Sequence, residues 1–265
     1  MRACLLACGA LLFCLLANAA PPLSLFIEDL TWTELRARVE GGATTVLVPI
    51  GGTEQNGPHM ALGKHNLRVR LLAERIAGKL GQALVAPVVA YVPEGSIEPP
   101  TQHMRYPGTL SLPVPVFEAM LEATARSLKH AGFRDVVFLG DHGGYAASLE
   151  HVAARLNRDW GKSSRAHALG EYYRSSQGPY IDALKQHGVG ADEIGLHAGL
   201  ADTSLMLALA PALVRMEVAA ARPHNASDGV SGDPKRSSAE LGQLGVDRII
   251  EATVAAIRQR THSSP

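Results

Sequence analysis

The run "TTVLVPI" (residues 44–50) and the loop "GGTEQNGPHMALGKHN" (residues 51–66) decide the fold prediction. The run is β-branched and apolar, which is typical of a strand buried on both faces of a parallel sheet. The loop is broken by Gly and Pro, yet it carries Glu54, His59 and His65. So many lone-pair donors at the end of a buried strand indicate a functional site there.

Strand-like and helix-like segments alternate on both sides of this stretch. Residues 67–80 place apolar side chains at helical spacing, residues 83–92 are a second strand region, and "DVVFLG" (135–140) is a third apolar run. "RAHALGEYY" is predicted to return to the sheet. The pattern predicts an α/β fold, a three-layer α/β/α sandwich with a mostly parallel central sheet. In such a sheet, sites gather outside the carboxyl ends of the strands.

The composition is that of an ordinary globular protein. The 265 residues are 46% hydrophobic, with 25 basic and 25 acidic side chains. This length suits one domain with a full core. Balanced charge and the lack of a basic stripe give no electrostatic argument for binding nucleic acid or an anionic membrane. We therefore expect a small-molecule partner.

The first twenty residues, "MRACLLACGALLFCLLANAA", have the pattern of a secretory signal peptide. An early Arg precedes an apolar stretch that ends in a small-x-small cleavage site, and the stretch is shorter than the ~20 residues of a membrane span. We predict cleavage after residue 19, a single domain over residues 20–265, and export to the periplasm or the medium. All three cysteines lie in this segment, so the mature chain must hold any metal through N and O ligands.

The polar residues of the first loop are open to two interpretations. Glu54 is either a solvated or capping loop residue or a metal ligand or general base, and Asn66 is the better candidate for capping the next helix. His59 and His65 are either locally bonded side chains or ligands. They lack the fixed helical spacing of a motif such as HExxH.

The loop after the third strand, "LGDHGGY" (139–145), adds Asp141 and His142. Its glycines allow a sharp turn and leave space beside His142. The alternative is an ordinary strand-to-helix turn in which Asp141 is a cap and His142 is incidental.

Three further segments contain candidate site residues. "HMRYPGT" contributes His103, "GLHAGLADTS" contributes His197 and Asp202, and "EYYR" contributes Tyr172 and Tyr173. Asp202 is equally consistent with a helix cap, and paired tyrosines are often packing residues. The sequence has no GxSxG elbow and no phosphate-loop glycine pattern, which argues against a serine nucleophile and a nucleotide site.

Taken together and in order, these motifs resemble the creatininase (creatinine amidohydrolase) family. The family's first motif, approximately E-Q-H-G-P-H-L-P-L-x-T-D, stands here as "EQNGPHMALGKH". "HMRYPGT", "GDHGGY", "HAGLADTS" and "GVSGDP" (229–234) match four further family motifs. The resemblance extends over roughly residues 25–258 and implies the creatininase-like α/β fold.

The resemblance also implies a metal site with an altered ligand set. Family enzymes hold two ions, and the positions that match the first ion's ligands are Glu54, His65 and His142. The second ion's positions are Asn56, His65 and Gly144, which are poorly suited to bridging or binding a second cation. We therefore expect one divalent ion per chain, zinc first and manganese or iron as alternatives, held by Glu54, His65 and His142.

The expected activity is that of an exported metal-dependent amidohydrolase acting on a small cyclic or linear amide. By resemblance, His197 is the catalytic proton carrier, Asp202 orients it or the metal site, and Asp141 orients His142. The alternatives are a non-catalytic small-molecule-binding pseudoenzyme of the same fold and a purely structural metal. The resemblance also implies a homo-oligomer, in the family commonly a hexamer. The remaining candidates for substrate binding or ligand support are Asn56, His59, His103, Asp141, Tyr172 and Tyr173.

Overall fold

The computed structural model describes residues 24–223 and 227–262, so the predicted signal peptide lies outside the described residues. The sheet has four parallel strands: β1 (Thr45–Ile50), β2 (Ala83–Val85), β3 (Asp135–Gly140) and β4 (Arg165–Ala168). Their order is β2-β1-β3-β4, which confirms the predicted parallel α/β fold.

The helices flank this sheet and supply the connections between the parallel strands. No helix within residues 24–223 and 227–262 is long and apolar enough to cross a membrane. In chain order the α-helices are α1 (Trp32–Glu40), α2 (Lys64–Leu80), α3 (Val114–His130), α4 (Ala146–Trp160), α5 (Gly170–Gln177), α6 (Pro179–Gln186), α7 (Ala191–Ile194), α8 (Leu200–Leu209), α9 (Met216–Ala221) and α10 (Ala239–His262).

Two hydrophobic clusters, one on each face of the sheet, make the three layers. Successive strand residues point to opposite faces. Leu47 and Val137 therefore join the cluster formed with α2, α8 and α10, whereas Val48 and Phe138 join the one formed with α3 and α4. β1, β2 and β3 are buried on both faces, which explains why they read as continuous apolar runs, whereas β4 is partly exposed.

Three local predictions need correction. The second strand is shorter than the predicted 83–92 region and ends at Val85, with only isolated bridges beyond it. Tyr172 and Tyr173 lie on α5 rather than at a strand end. Asn66 does not cap α2, whose N-cap is Gly63. Its side-chain Oδ1 instead accepts a hydrogen bond from the Gly52 N–H at 2.9 Å.

The carboxyl ends of β1 and β3 are joined by the side chain of Tyr145. Its buried hydroxyl lies 2.8 Å from the Ile50 carbonyl oxygen and 2.7 Å from that of Gly51. The same oxygen accepts from the N–H groups of Asp141 and His142, each at 3.1 Å. The two loops that the sequence marks as functional are therefore held side by side.

We predict that Phe138→Ala destabilises the protein by about 3–5 kcal/mol, since it removes a fully buried ring from the centre of the sheet. Val116→Ala, at a half-exposed position on α3, is the matched control and should change stability by no more than about 0.5 kcal/mol. Urea unfolding measures both. Equal effects would contradict the assignment of Phe138 to the core.

Candidate metal centre

Four side chains meet at the carboxyl edge of the sheet: Glu54, Glu94, His103 and His142. One potential ligand atom from each lies within 4.8 Å of the others. Glu54 lies in the loop after β1, and His142 directly follows β3. Glu94 comes from the segment after β2, and His103 from a single 3₁₀ turn. Residues distant in sequence are thus brought together by the strand order.

Several carboxyl oxygens of this cluster lack a hydrogen bond from the part of the chain that the structure describes: Glu54 Oε2 and both oxygens of Glu94. Burial, and next the negative charge of Glu54, raise the pKa of Glu94 to about 9. Near neutral pH a proton on Glu94 thus relieves its repulsion from Glu54, and a divalent cation would take the place of that proton. Two carboxylates and two imidazoles are also ligands that zinc accepts, so the residues present fit a divalent ion.

The space for Glu94 depends on a glycine. Gly52 has a φ of +149°, and a Cβ at this position would lie 2.6 Å from Glu94 Oε1. Any larger residue would displace the carboxylate and strain the backbone. Together with the Asn66 contact to its N–H, this fixes the start of the β1 loop against the cluster.

His65, a predicted ligand, lies behind Glu54 and outside the four-residue cluster. Its Nε2 is 2.7 Å from Glu54 Oε1, and its Nδ1 is 2.6 Å from Asp141 Oδ2. Arg68 Nη2 also lies 3.1 Å from His65 Nδ1. Both ring nitrogens of His65 therefore face protein groups rather than the four-residue cluster.

Two buried cations lie next to His65, behind Glu54. Together with His65 and the acidic side chains that they contact, they form what we call the inner layer. Lys64 Nζ lies 3.4 Å from Glu54 Oε1 and 3.1 Å from Asp202 Oδ2. Arg68, one turn further along α2, binds Asp141 Oδ2 through Nε at 2.8 Å and Asp202 Oδ1 through Nη1 at 2.7 Å. The result is a buried layer of alternating charge directly behind the cluster.

These cations keep the carboxylates ionised. Burial opposes ionisation of Glu54, but the charges of His65 and Lys64 outweigh it and hold the pKa well below its usual range. Burial likewise opposes ionisation of Asp202, yet Lys64 and Arg68 hold its pKa well below the ordinary value. Glu54 is therefore a ready anionic ligand.

Asp141 does not orient His142, contrary to the prediction. Its Oδ1 accepts from the Tyr172 hydroxyl at 2.7 Å, and its Oδ2 faces His65 and Arg68. The adjacent residues point apart along the extended chain, so Asp141 supports the inner layer and His142 faces the cluster.

His142 and His197 are both neutral. The His142 Nδ1 accepts a hydrogen bond from the Gly144 N–H at 3.2 Å, so a metal bound at Nε2 would move the ring proton to Nδ1 and break this contact. Burial and then the charge of His65 lower the pKa of His142 to about 3. Burial and then the charge of Lys64 lower the pKa of His197 to about 4. The His197 Nε2–H donates to the Gln55 carbonyl oxygen at 2.9 Å. Its unprotonated Nδ1 therefore faces inwards, 3.7 Å from Glu54 Oε1.

His103 has the same tautomer as His197, set by its contact with Gln55, but it presents the N–H rather than the unprotonated nitrogen to Glu54. Gln55 Oε1 accepts from the Gly57 N–H at 2.9 Å, and Nε2 donates to the Gly229 carbonyl oxygen at 3.0 Å. The same Nε2 lies 3.1 Å from His103 Nδ1, which must accept. The proton of the neutral ring is then on Nε2, 3.3 Å from Glu54 Oε2.

The other predicted residues hold the loops in place. Asn56 Nδ2 donates to the backbone carbonyl oxygens of Glu54 and Ala61, so its side chain closes the β1 loop on itself. His59 is fully buried, with Nε2 3.0 Å from Thr203 Oγ1 on α8. Tyr173 lines a small cavity beside His142.

The comparison with known proteins agrees with this geometry. Residues 28–257 match the creatininase family profile, described as creatinine amidohydrolase. The chain belongs to the creatininase family.

Similarity to individual family members extends over almost the whole chain. It is 28% identical to the creatinine amidohydrolase of Pseudomonas putida, over 89% of this chain and 97% of that protein. It is 30% identical to a mycofactocin precursor peptide peptidase of Mycobacterium ulcerans, over 82% of this chain and 86% of that protein. A solved manganese creatininase superposes with a TM-score of 0.74 at 28% identity, covering 90% of this chain and 99% of that one. A Zn–Zn type creatininase variant gives 0.73 at 26% identity, with the same coverage.

Three residues of this creatininase-family site were missed by the sequence analysis: Glu94, Lys64 and Arg68. Lys64 and Arg68 are four residues apart around the start of the predicted helix, shortly after Glu54. That spacing places them on one helix face and could have indicated the buried pairing. Glu94 follows a Pro in an irregular segment, where no local pattern marks it.

We predict that Glu94→Gln weakens zinc binding at least about tenfold, because it removes a buried anionic ligand. The metal-free stability near neutral pH should stay nearly unchanged, since protonated Glu94 and Gln are both neutral. Chelator competition and thermal unfolding measure the two effects. Glu74→Gln, an exposed position on α2, is the control. Unchanged affinity in Glu94→Gln would exclude Glu94 as a ligand.

Proposed function

We propose that this creatininase-family protein is a metal-dependent amidohydrolase that cleaves the C–N bond of a small cyclic or linear amide. The observation that carries the proposal is the buried cluster in which three carboxyl oxygens have no hydrogen bond from the described residues, next to His197 with an unprotonated ring nitrogen. The named relatives act on creatinine and on a precursor peptide, so amide chemistry is common to both.

The proposed cofactor is one divalent ion per chain, zinc first. Glu54, Glu94 and His142 would hold it, with His103 beside them as a fourth polar group. This replaces His65 in the ligand set expected from the family motif, because both of its nitrogens are bonded to carboxylates. A divalent ion in such a site polarises a carbonyl group and favours ionisation of water.

The two remaining histidines divide the proton transfers. The free Nδ1 of His197 can accept a proton from the attacking water and deliver it to the leaving nitrogen. The Nε2–H of His103 can donate a hydrogen bond to the developing oxyanion. Asp202 takes no direct part, since Lys64 and Arg68 occupy its oxygens; it positions the Ala198 N–H at 2.9 Å beside His197.

Three predictions beyond the site belong to the same proposal. The protein is exported by its signal peptide, acts on a small molecule, and assembles as a homo-oligomer. Exposed apolar side chains at Tyr91 and Leu110, next to the bridge between Val92 and Ser111, support an assembly surface. Mass spectrometry of the exported chain should find Ala20 at the amino terminus, and light scattering should give a multiple of the protomer mass. An uncleaved chain or a monomer would contradict these two parts.

We expect elemental analysis of protein purified without chelator to give about one divalent ion per chain. His142→Ala should lose the ion and the hydrolase activity, because it removes a neutral imidazole ligand. His151→Ala, an exposed histidine on α4, should keep both. A His142→Ala protein that retains its metal would show that the ion is held elsewhere.

His197→Ala separates catalysis from metal binding. We expect it to keep the ion but to lower kcat by about 10²–10⁴-fold on a hydrolysed amide, because it removes the proton carrier. The substrate is found by screening cyclic ureides, lactams, linear amides and short peptides for new amine or acid groups. Saturable binding of such compounds without turnover by metal-loaded protein would instead establish a non-catalytic binding protein.

A further inference from the structure

Lys64 has an environment that is unusual for a lysine. The side chain is fully buried at the first residue of α2. Its ammonium lies between Glu54 Oε1 at 3.4 Å and Asp202 Oδ2 at 3.1 Å. Glu54 also belongs to the proposed metal cluster, so the ammonium and the ion would share one carboxylate.

We infer that the Lys64 ammonium occupies a second cation position of this centre and thereby limits it to one divalent ion. This inference rests on the proposed function, since it assumes that the four-residue cluster binds metal. The position is defined by the groups around the ammonium, and these are chemically a divalent-ion ligand set.

Two carboxylate oxygens contact the ammonium, and one imidazole nitrogen lies close to one of these oxygens. Glu54 Oε1 and Asp202 Oδ2 face the ammonium directly. The unprotonated Nδ1 of His197 lies 3.7 Å from the same Glu54 oxygen. Carboxylate and neutral imidazole are the N and O ligands that zinc and manganese accept.

The donors would stay in place without the lysine. Arg68 holds Asp202 through its other oxygen at 2.7 Å, and the Ala198 N–H donates to Asp202 Oδ2. His65 holds Glu54 at 2.7 Å. Removing the ammonium alone would therefore leave preorganised, buried negative charge, which favours uptake of a cation.

A purely structural ion pair predicts a different result. If Lys64 only stabilises the fold, its removal lowers stability and leaves the metal content as it was. If the ammonium holds a cation position, its removal lets a second ion enter and doubles the metal content. Metal stoichiometry, not activity, separates the two.

The experiment compares wild type, Lys64→Ala, Lys64→Met and Lys162→Ala after equilibration with Mn²⁺ and removal of free ion. Lys64→Ala opens the position and should double the Mn²⁺ content. Its electron paramagnetic resonance spectrum should change from an isolated ion to a spin-coupled pair. Lys64→Met fills the space with an apolar chain, and Lys162→Ala changes an exposed residue; both should match wild type.

Each outcome supports or overturns the inference. A folded Lys64→Ala protein with wild-type metal content overturns it and leaves the proposed function intact. Wild type that binds no ion overturns the proposed function itself. If Lys64→Ala does not fold, the electron paramagnetic resonance spectrum of the wild-type protein at excess Mn²⁺ tests the inference. A spin-coupled pair overturns it, and an isolated-ion spectrum supports it.

Discussion

The site depends on how the two oxygens of Glu54 are divided. Oε1 faces the His65 ring and the Lys64 ammonium. Oε2 has no hydrogen bond from the residues that the structure describes, and it faces Glu94, His103 and His142. One oxygen of a single buried carboxylate is thus satisfied by His65 and Lys64, and the other is left for a ligand. This division determines which neighbouring residues can bind metal and which support them.

The fold supplies the constraint that keeps Glu54 in this position. Parallel strands β1 and β3 end at the same edge of the sheet, and the Tyr145 hydroxyl joins the two loops that follow them. Helix α2 then presents Lys64, His65 and Arg68 from behind, so that each buried anion has a cationic or hydrogen-bonding neighbour. Leaving one of these charges unpaired would cost several kcal/mol. Substitution of Lys64, His65 or Arg68 should therefore destabilise the protein.

Much of the fold and part of the site could be predicted from the sequence. The buried strands were recognisable as apolar runs, and the motif order identified the family. The sequence also marked Glu54 and His142 as candidate ligands in the loops after neighbouring strands, and the structure places Glu54 Oε2 and His142 Nε2 3.9 Å apart. That these two residues bind a metal stays a prediction. The prediction that His65 is a ligand stays a prediction that the hydrogen bonds to Glu54 and Asp141 argue against.

The remaining features could not be found in this way because they depend on distant contacts. Whether His65 faces the metal cluster or Asp141 depends on the placement of Arg68 and on the angle of α2 against β3. Glu94 lies in an irregular segment, and the glycine that makes room for it is at position 52. Protonation states likewise follow from partners such as Gln55, whose contacts to His103 and Gly229 span the chain.

Anomalous diffraction from crystals of the wild-type protein grown with zinc tests the central claim most directly. We expect one peak per chain, on the Oε2 side of Glu54 and within bonding distance of Glu94 and His142. His65 should keep its hydrogen bonds to Glu54 and Asp141. A peak bonded to His65, or one between Glu54 Oε1 and Asp202, would contradict it.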